Sequence, residues 1–229
     1  MKQNKLVVTK SNALLDASYK LNPNAQKLIL ACISNLDPRK PAPKEARMTA
    51  KEYSERMGID YKNAHRELYK AVDELYRSTI LIREHDDETE VRWIQEKAKK
   101  IRGEGEVRLI WSDRILKHIS EIQNRFSSYD LKAISSLQAG HSIRLYELLM
   151  RFNDQGWRKI SVVDFKSALG ISDKYPTYKE LNRRIIQPSI KELNQRSDLD
   201  IYLSTVKNGR SVKYLHFDFK LKDQMVMDI

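Results

Sequence analysis

The sequence predicts an α+β fold in which one helix–turn–helix–strand unit occurs twice. Three observations predict it. First, residues 49–59 and 161–171 match position by position. Each opens on a hydroxyl residue, Thr49 or Ser161, with an acid three places on, Glu52 or Asp164. Each then carries an aromatic (Tyr53, Phe165), a long apolar residue (Met57, Leu169) and Gly-Ile at equal offsets. Second, each segment leads into a basic helical stretch with an apolar ladder, Leu68/Val72/Leu75 in one copy and Ile186/Ile190/Leu193 in the other. Third, each copy ends in a short β-like run, residues 79–82 and 200–203. Helix, glycine-marked turn, helix and strand outline a winged helix-turn-helix, so two tandem domains related by an internal repeat are expected.

The elements follow in order. Asn22-Pro23 is an N-cap with proline at the first helical position, and its helix carries Leu28, Ile29, Cys32, Ile33 and Leu36 on one face. The proline-rich loop 37–43 stops it. Thr49 with Glu52 makes a capping box, Gly58 ends that helix, and Asp60 caps a long helix to about Ser78. Three strands, Thr79–Arg83, Val91–Lys97 and Val107–Trp111, are expected to form a wing-like antiparallel sheet, followed by a short helix Ser112–Ile119. These make an N-terminal domain, residues 1–120. Residues 121–136 read as a junction with a short helical stretch between two serine pairs. The C-terminal domain, 137–229, opens with a helix through Ile143, Leu145, Tyr146, Leu148, Leu149 and Phe152, ended near Gly156. After the repeated unit, Asn208-Gly209 is placed at a hairpin turn, with Ile201, Leu203, Leu215, Phe217 and Phe219 inward.

Composition narrows the partner. The chain has 229 residues, 42 Lys+Arg against 31 Asp+Glu, and a formal charge of +11. Up to residue 120 there are 24 basic and 18 acidic residues, and beyond it 18 and 13, so both halves carry the excess. A polyanion held along the whole molecule fits that balance, because neutralised phosphates release condensed counterions. The lone Cys32 sits in an apolar helical run and reads as a core thiol in a reducing compartment. No apolar run approaches ~18 residues, and the N-terminus lacks a signal-peptide pattern, so a cytoplasmic protein without a membrane span is expected.

In a helix-turn-helix the N-terminal residues of the second helix lie nearest the bases. In the second copy that helix starts at Thr177, read as a capping box with Glu180, and presents Tyr178, Lys179, Asn182, Arg183 and Arg184, with Lys191 further along. Arg reads guanine and Asn reads adenine through paired hydrogen bonds, each worth ~1–3 kcal/mol of discrimination. At 100° per residue Arg184 lies about 160° from Ile186 and projects outward, whereas Arg183 lies about 60° from it, nearer the core. Pro188 is expected to kink the helix. The first copy offers Lys62, Asn63 and Arg66, with His65 and Lys70, among acids Glu67, Asp73 and Glu74, and phosphate contact fits it better. Lys207, Arg210 and Lys213 suit backbone or minor-groove contact from the second wing; Lys97, Lys99, Lys100 and Arg102 offer the same in the first, where a mobile loop is the plain alternative.

Catalytic readings find little. The chain has no phosphate-binding loop of the Walker type, and its histidines, at 65, 85, 118, 141 and 216, show no metal-binding spacing. No enzyme, cofactor or metal is expected.

The order of motifs resembles the iteron-binding plasmid replication initiators of the F-plasmid type. The resemblance covers nearly the whole chain. It rests on residues 8–14, 122–126 and 143–149, on 182–187 and on the wing 207–210. It implies two winged-helix domains straddling one direct repeat of double-stranded origin DNA, the C-terminal one reading bases through Arg183 and Arg184. The N-terminal one would add backbone contacts and a dimerisation surface. In such families monomers start replication by recruiting the host initiator and helicase, and dimers repress their own gene from an inverted operator. Asn182 departs from the third arginine of that type, Pro188 interrupts the helix, and the tail after Lys220 is short. A dedicated transcriptional repressor of the same fold is the alternative. A DNA-nicking initiator with a catalytic tyrosine is the other, and it lacks evident metal ligands.

Overall fold

The computed structural model describes residues 6–100 and 103–222. Arg102, the first five residues and the tail from 223 lie outside the described residues. Strand β1 (Val7–Ser11) runs into helix α1 (Asn12–Asp16), whose cap Ser11 accepts the Leu14 N–H. Asn22 caps α2 (Pro23–Ile33) as the Asn-Pro pair predicts, accepting the Ala25 N–H at 2.8 Å. Strand β2 (Glu45–Thr49) ends on the cap of α3 (Ala50–Met57), where Thr49 and Glu52 complete both halves of a capping box. Gly58, at φ 59°, closes α3, and Asp60 caps α4 (Tyr61–Arg77). The α4 ladder is buried, with Ala64 and Ala71 letting the neighbouring helices approach.

The next segment departs from expectation. Val91–Lys97 is not one strand. It breaks at the buried Trp93 into the ends of β4 (Asp87–Arg92) and β5 (Ile94–Lys99), which join different sheets. β3 (Thr79–Glu84) pairs with β4 in a separate hairpin turned at His85-Asp86, while β5 pairs with β6 (Glu106–Trp111), which also pairs with β2. The wing sheet therefore has the order β2-β6-β5, and the hairpin is an addition beside it. Helix α5 (Asp113–Ile119) follows as predicted.

The expected junction is built into the fold. Within it β7 (Phe126–Asp130) pairs antiparallel with β1, Val8 opposite Tyr129, and only α6 (Lys132–Ser135) is the foreseen short helix. A serine-rich run reads as a linker, yet here it has a partner strand more than a hundred residues away and a buried Tyr129 to hold it.

α7 (Gly140–Met150) leads to β8 (Trp157–Ser161), which ends on the cap of α8 (Val162–Ala168), just as β2 ends on the cap of α3. The second helix of the repeated unit comprises α9 (Tyr178–Leu181), a π-helical turn Asn182–Ile186 and α10 (Gln187–Arg196). β9 (Leu199–Asn208) and β10 (Ser211–Leu221) close the second sheet, order β8-β10-β9. Pairing of Ser211 with Asn208 puts Gly209-Arg210 at the turn, one place later than Asn-Gly; Gly209 takes φ 60°.

One apolar core runs through both copies, from Leu28, Leu68 and Trp111 to Leu149, Phe165 and Phe217. At the seam lies a charged network. The Glu147 carboxylate accepts from Lys10 Nζ at 2.6 Å, Tyr129 OH at 2.7 Å, Tyr19 OH at 2.8 Å and Arg144 Nη1 at 3.0 Å. Burial pushes the Glu147 carboxyl upward, but the two cations and their hydrogen bonds outweigh it and hold the group at about 2. Arg144 Nη2 also donates to the carbonyls of Leu15, Ala17 and Ala168, tying the first unit to α8 of the second.

Candidate nucleic-acid interface

The site grows from two helix-turn-helix frames. In the second, Ser161 accepts the Asp164 N–H at 3.0 Å and fixes the start of α8. Gly170, at φ 63°, turns the chain, and Ile171 anchors the turn in the core. Thr177 then accepts the Glu180 N–H at 3.2 Å. Only this half of the expected capping box forms, because the Glu180 carboxylate takes the Thr177 hydroxyl rather than its backbone N–H.

Pro188 does not interrupt the helix. Proline has no N–H, and its ring crowds the carbonyl four residues back, here that of Arg184. The chain answers with a wider turn: the Gln187 N–H bonds the Asn182 carbonyl five residues back, and Gln187 Nε2 reaches Asn182 Oδ1 at 3.3 Å. Leu181, Ile185 and Ile186 are buried beneath the turn, while Arg183 and Arg184 are both exposed. The expectation that Arg183 leans toward the core is thereby corrected. That expectation assumed a uniform 100° step, which the π turn breaks.

Lys179 and Lys191 are exposed. Tyr178 is half-buried with its ring against the core, and Asn182 is half-buried and held by Gln187. Lys207 and Arg210 are exposed at the wing end, and Lys213 is the extra residue of a β-bulge between Val212 and Tyr214. Among the described residues, none of Lys179, Arg183, Arg184, Lys191, Lys207, Arg210 and Lys213 has a carboxylate within ion-pair distance. The local acids are occupied elsewhere: Glu180 by its cap, and Glu192 by the N–H groups of Gln138 at 2.6 Å and Ala139 at 3.3 Å.

The first copy differs. Arg66 is exposed but bonds Glu67 at 3.0 Å and Asn63 Oδ1 at 3.0 Å, and Lys70 lies 3.7 Å from Glu67. Lys97 and Lys99 close on the two oxygens of Asp73, Lys99 at 2.5 Å, so Lys99 belongs to a clamp between α4 and the wing strand rather than to a mobile loop. Desolvation pushes the Asp73 carboxyl up, and the two lysines pull it below the usual carboxylate range. The His65 ring lies tilted against Tyr69, with centroids 4.2 Å apart, and fills the space beside Gly105, where a Cβ would meet it. Lys62 and Lys100 are exposed and, among the described residues, unpaired.

The role of these acids is what sequence reading missed. Glu67 was visible as a neighbour of Arg66 one position along, but Asp73 meets Lys97 and Lys99 only through the fold. Cys32 is buried as expected, its thiol pushed up to about 12 by desolvation. Among the described residues no group of three or more His, Cys, Asp or Glu side chains is placed to hold a metal, and no helix is long and apolar enough to cross a membrane.

The chain resembles known proteins along most of its length. Residues 7–150 match the family Initiator Replication protein, WH1, and residues 161–219 match Initiator Rep protein, WH2. A replication initiation protein of Escherichia coli is 31% identical over 229 residues, spanning 96% of this chain and 71% of the relative. An uncharacterized 27.6 kDa protein of Escherichia coli is 25% identical over 222 residues, spanning 90% and 92%. Among solved structures, the Pi initiator protein in complex with iteron DNA superposes with a TM-score of 0.81 at 20% identity, over 97% of this chain and 99% of that one, a likeness of fold. With both winged-helix modules matched and a 31% identical relative aligned over 96% of this chain, the chain belongs to the initiator replication protein family.

Proposed function

We propose that this chain is a plasmid replication initiator that binds the direct repeats of its origin, with the second recognition helix as the base reader. The first copy contacts the DNA backbone and shares in self-association. The observation that carries this reading is the contrast in pairing: the second copy presents seven cations without carboxylate partners, and the first spends most of its own on Glu67 and Asp73. Unpaired cations are available to phosphates and guanines without first breaking an ion pair. The Pi initiator, which shares the fold, was captured on iteron DNA, and that binding mode is carried here as part of the proposal. Acting in the cytoplasm, the bound protein recruits a host initiator and helicase, and a dimeric form represses its own gene. A nuclease footprint on the DNA flanking the gene, with excess competitor, tests this. A periodic ladder over direct repeats supports initiation. One protected inverted site leaves only a repressor, and no protection removes the sequence-specific reading.

A further inference from the structure

The π turn sits under the residues that the proposed function assigns to base reading, and its geometry can be checked by counting. In a uniform α-helix Leu181 would lie about 180° from Ile190, on the solvent side, and Arg183 about 20° from it, in the core stripe. The structure shows the reverse: Leu181 is 1% exposed beneath the helix and Arg183 is exposed. One extra residue in the turn, i→i+5 in place of i→i+4, rotates the segment before it by about 100° relative to the segment after it. That rotation carries Leu181 inward and Arg183 outward. Arg184, on the far side of the ladder under either count, stays outward.

We propose that Pro188 is a specificity-determining positioning residue: by withholding its N–H it holds the recognition helix in the wide turn that presents Arg183 beside Arg184. Pro188 itself is exposed, so it acts through the turn and not by touching DNA or filling the core. A residue with an N–H at 188 can bond the Arg184 carbonyl, restore the four-residue step and swing Arg183 back toward the ladder. The base sequence read then changes with no change in the contacting side chains. This inference rests on the base-reading role proposed for the helix.

Two readouts test it in the full chain with Pro188→Ala. The first needs no DNA: Leu181→Cys, with the buried Cys32 as an internal control, should resist maleimide in the native proline background and react when combined with P188A. Continued resistance in P188A would overturn the proposal, because the turn would persist without the proline. The second is a double-mutant cycle on DNA. Arg183→Ala should lower the preference for cognate over random DNA at least ~10-fold in the native background and less than ~2-fold in P188A. Affinity for random DNA should stay unchanged. Equal losses in both backgrounds would overturn the proposal. Labelling that appears as expected while Arg183→Ala has no effect in either background would overturn the base-reading role of Arg183, separating that failure from a failure of the turn.

Discussion

On α4 of the first copy, Glu67 and Asp73 stand among the cations and bind them; on the equivalent helix of the second, Glu180 and Glu192 turn away to hydroxyl and backbone N–H groups. The first helix carries three acids in 17 residues and the second two across its successive segments of 4, 5 and 10 residues, and what separates them further is where each carboxylate finds its hydrogen bonds. An acid that caps a helix start or ties a loop leaves neighbouring cations free, and an acid that closes on a wing lysine neutralises them. The two glycine turns diverge in the same way. Gly58 and Gly170 share a left-handed φ, but a Cβ on Gly58 would meet nothing within 4 Å, while one on Gly170 would meet the Tyr19 backbone at 2.9 Å. The second copy is thus pressed against the first, and the first faces open space at the equivalent place.

Six substitutions put this contrast to the test. Glu147→Gln should have the largest effect, because it leaves Lys10 and Arg144 buried without a countercharge. A loss of ~3–5 kcal/mol in urea unfolding is expected. The Glu147 carboxyl is depressed to about 2, below its unfolded value of about 4.3, so its contribution is full above about pH 4 and lost as pH falls toward 2. The native chain should lose stability across that window more steeply than E147Q does, and parallel curves would deny the network its role. Next, Gly170→Ala should cost more than Gly58→Ala. Left-handed strain of ~1–2 kcal/mol is common to both, and the approach of Tyr19 adds ~1–3 kcal/mol to the first. Equal losses by thermal unfolding would show that the seam yields freely.

On DNA, Arg184→Ala should cost ~1–3 kcal/mol on the cognate site and little on random DNA. Arg66→Ala, whose side chain is already paired, should cost under ~1 kcal/mol on either. An equal penalty for the two, measured by titration, would erase the asymmetry between the copies. The smallest expected effect is a gain: Asp73→Asn releases Lys97 and Lys99, and the salt slope for random DNA should steepen by about one to two. An unchanged slope would mean that those lysines do not reach phosphate even when free.

The repeated unit, its caps and its ladders are legible in the sequence alone. Thr49/Glu52, Ser161/Asp164, Asn22-Pro23 and Asp60 all cap the helices expected of them, because capping and helical periodicity act within a few residues. What it left open was every pairing that spans long separations. The β1–β7 ladder, the clamp of Asp73 by two wing lysines, the split of Val91–Lys97 between two sheets and the Lys10–Glu147–Arg144 network each join residues whose neighbourhood exists only once the chain has folded. The exposure of Arg183 stands between the two cases. Pro188 announced a disturbance in the helix, but only burial of Leu181 and Ile185 against the core decides that the disturbance is a wide turn rather than a kink, and with it which way the arginine points.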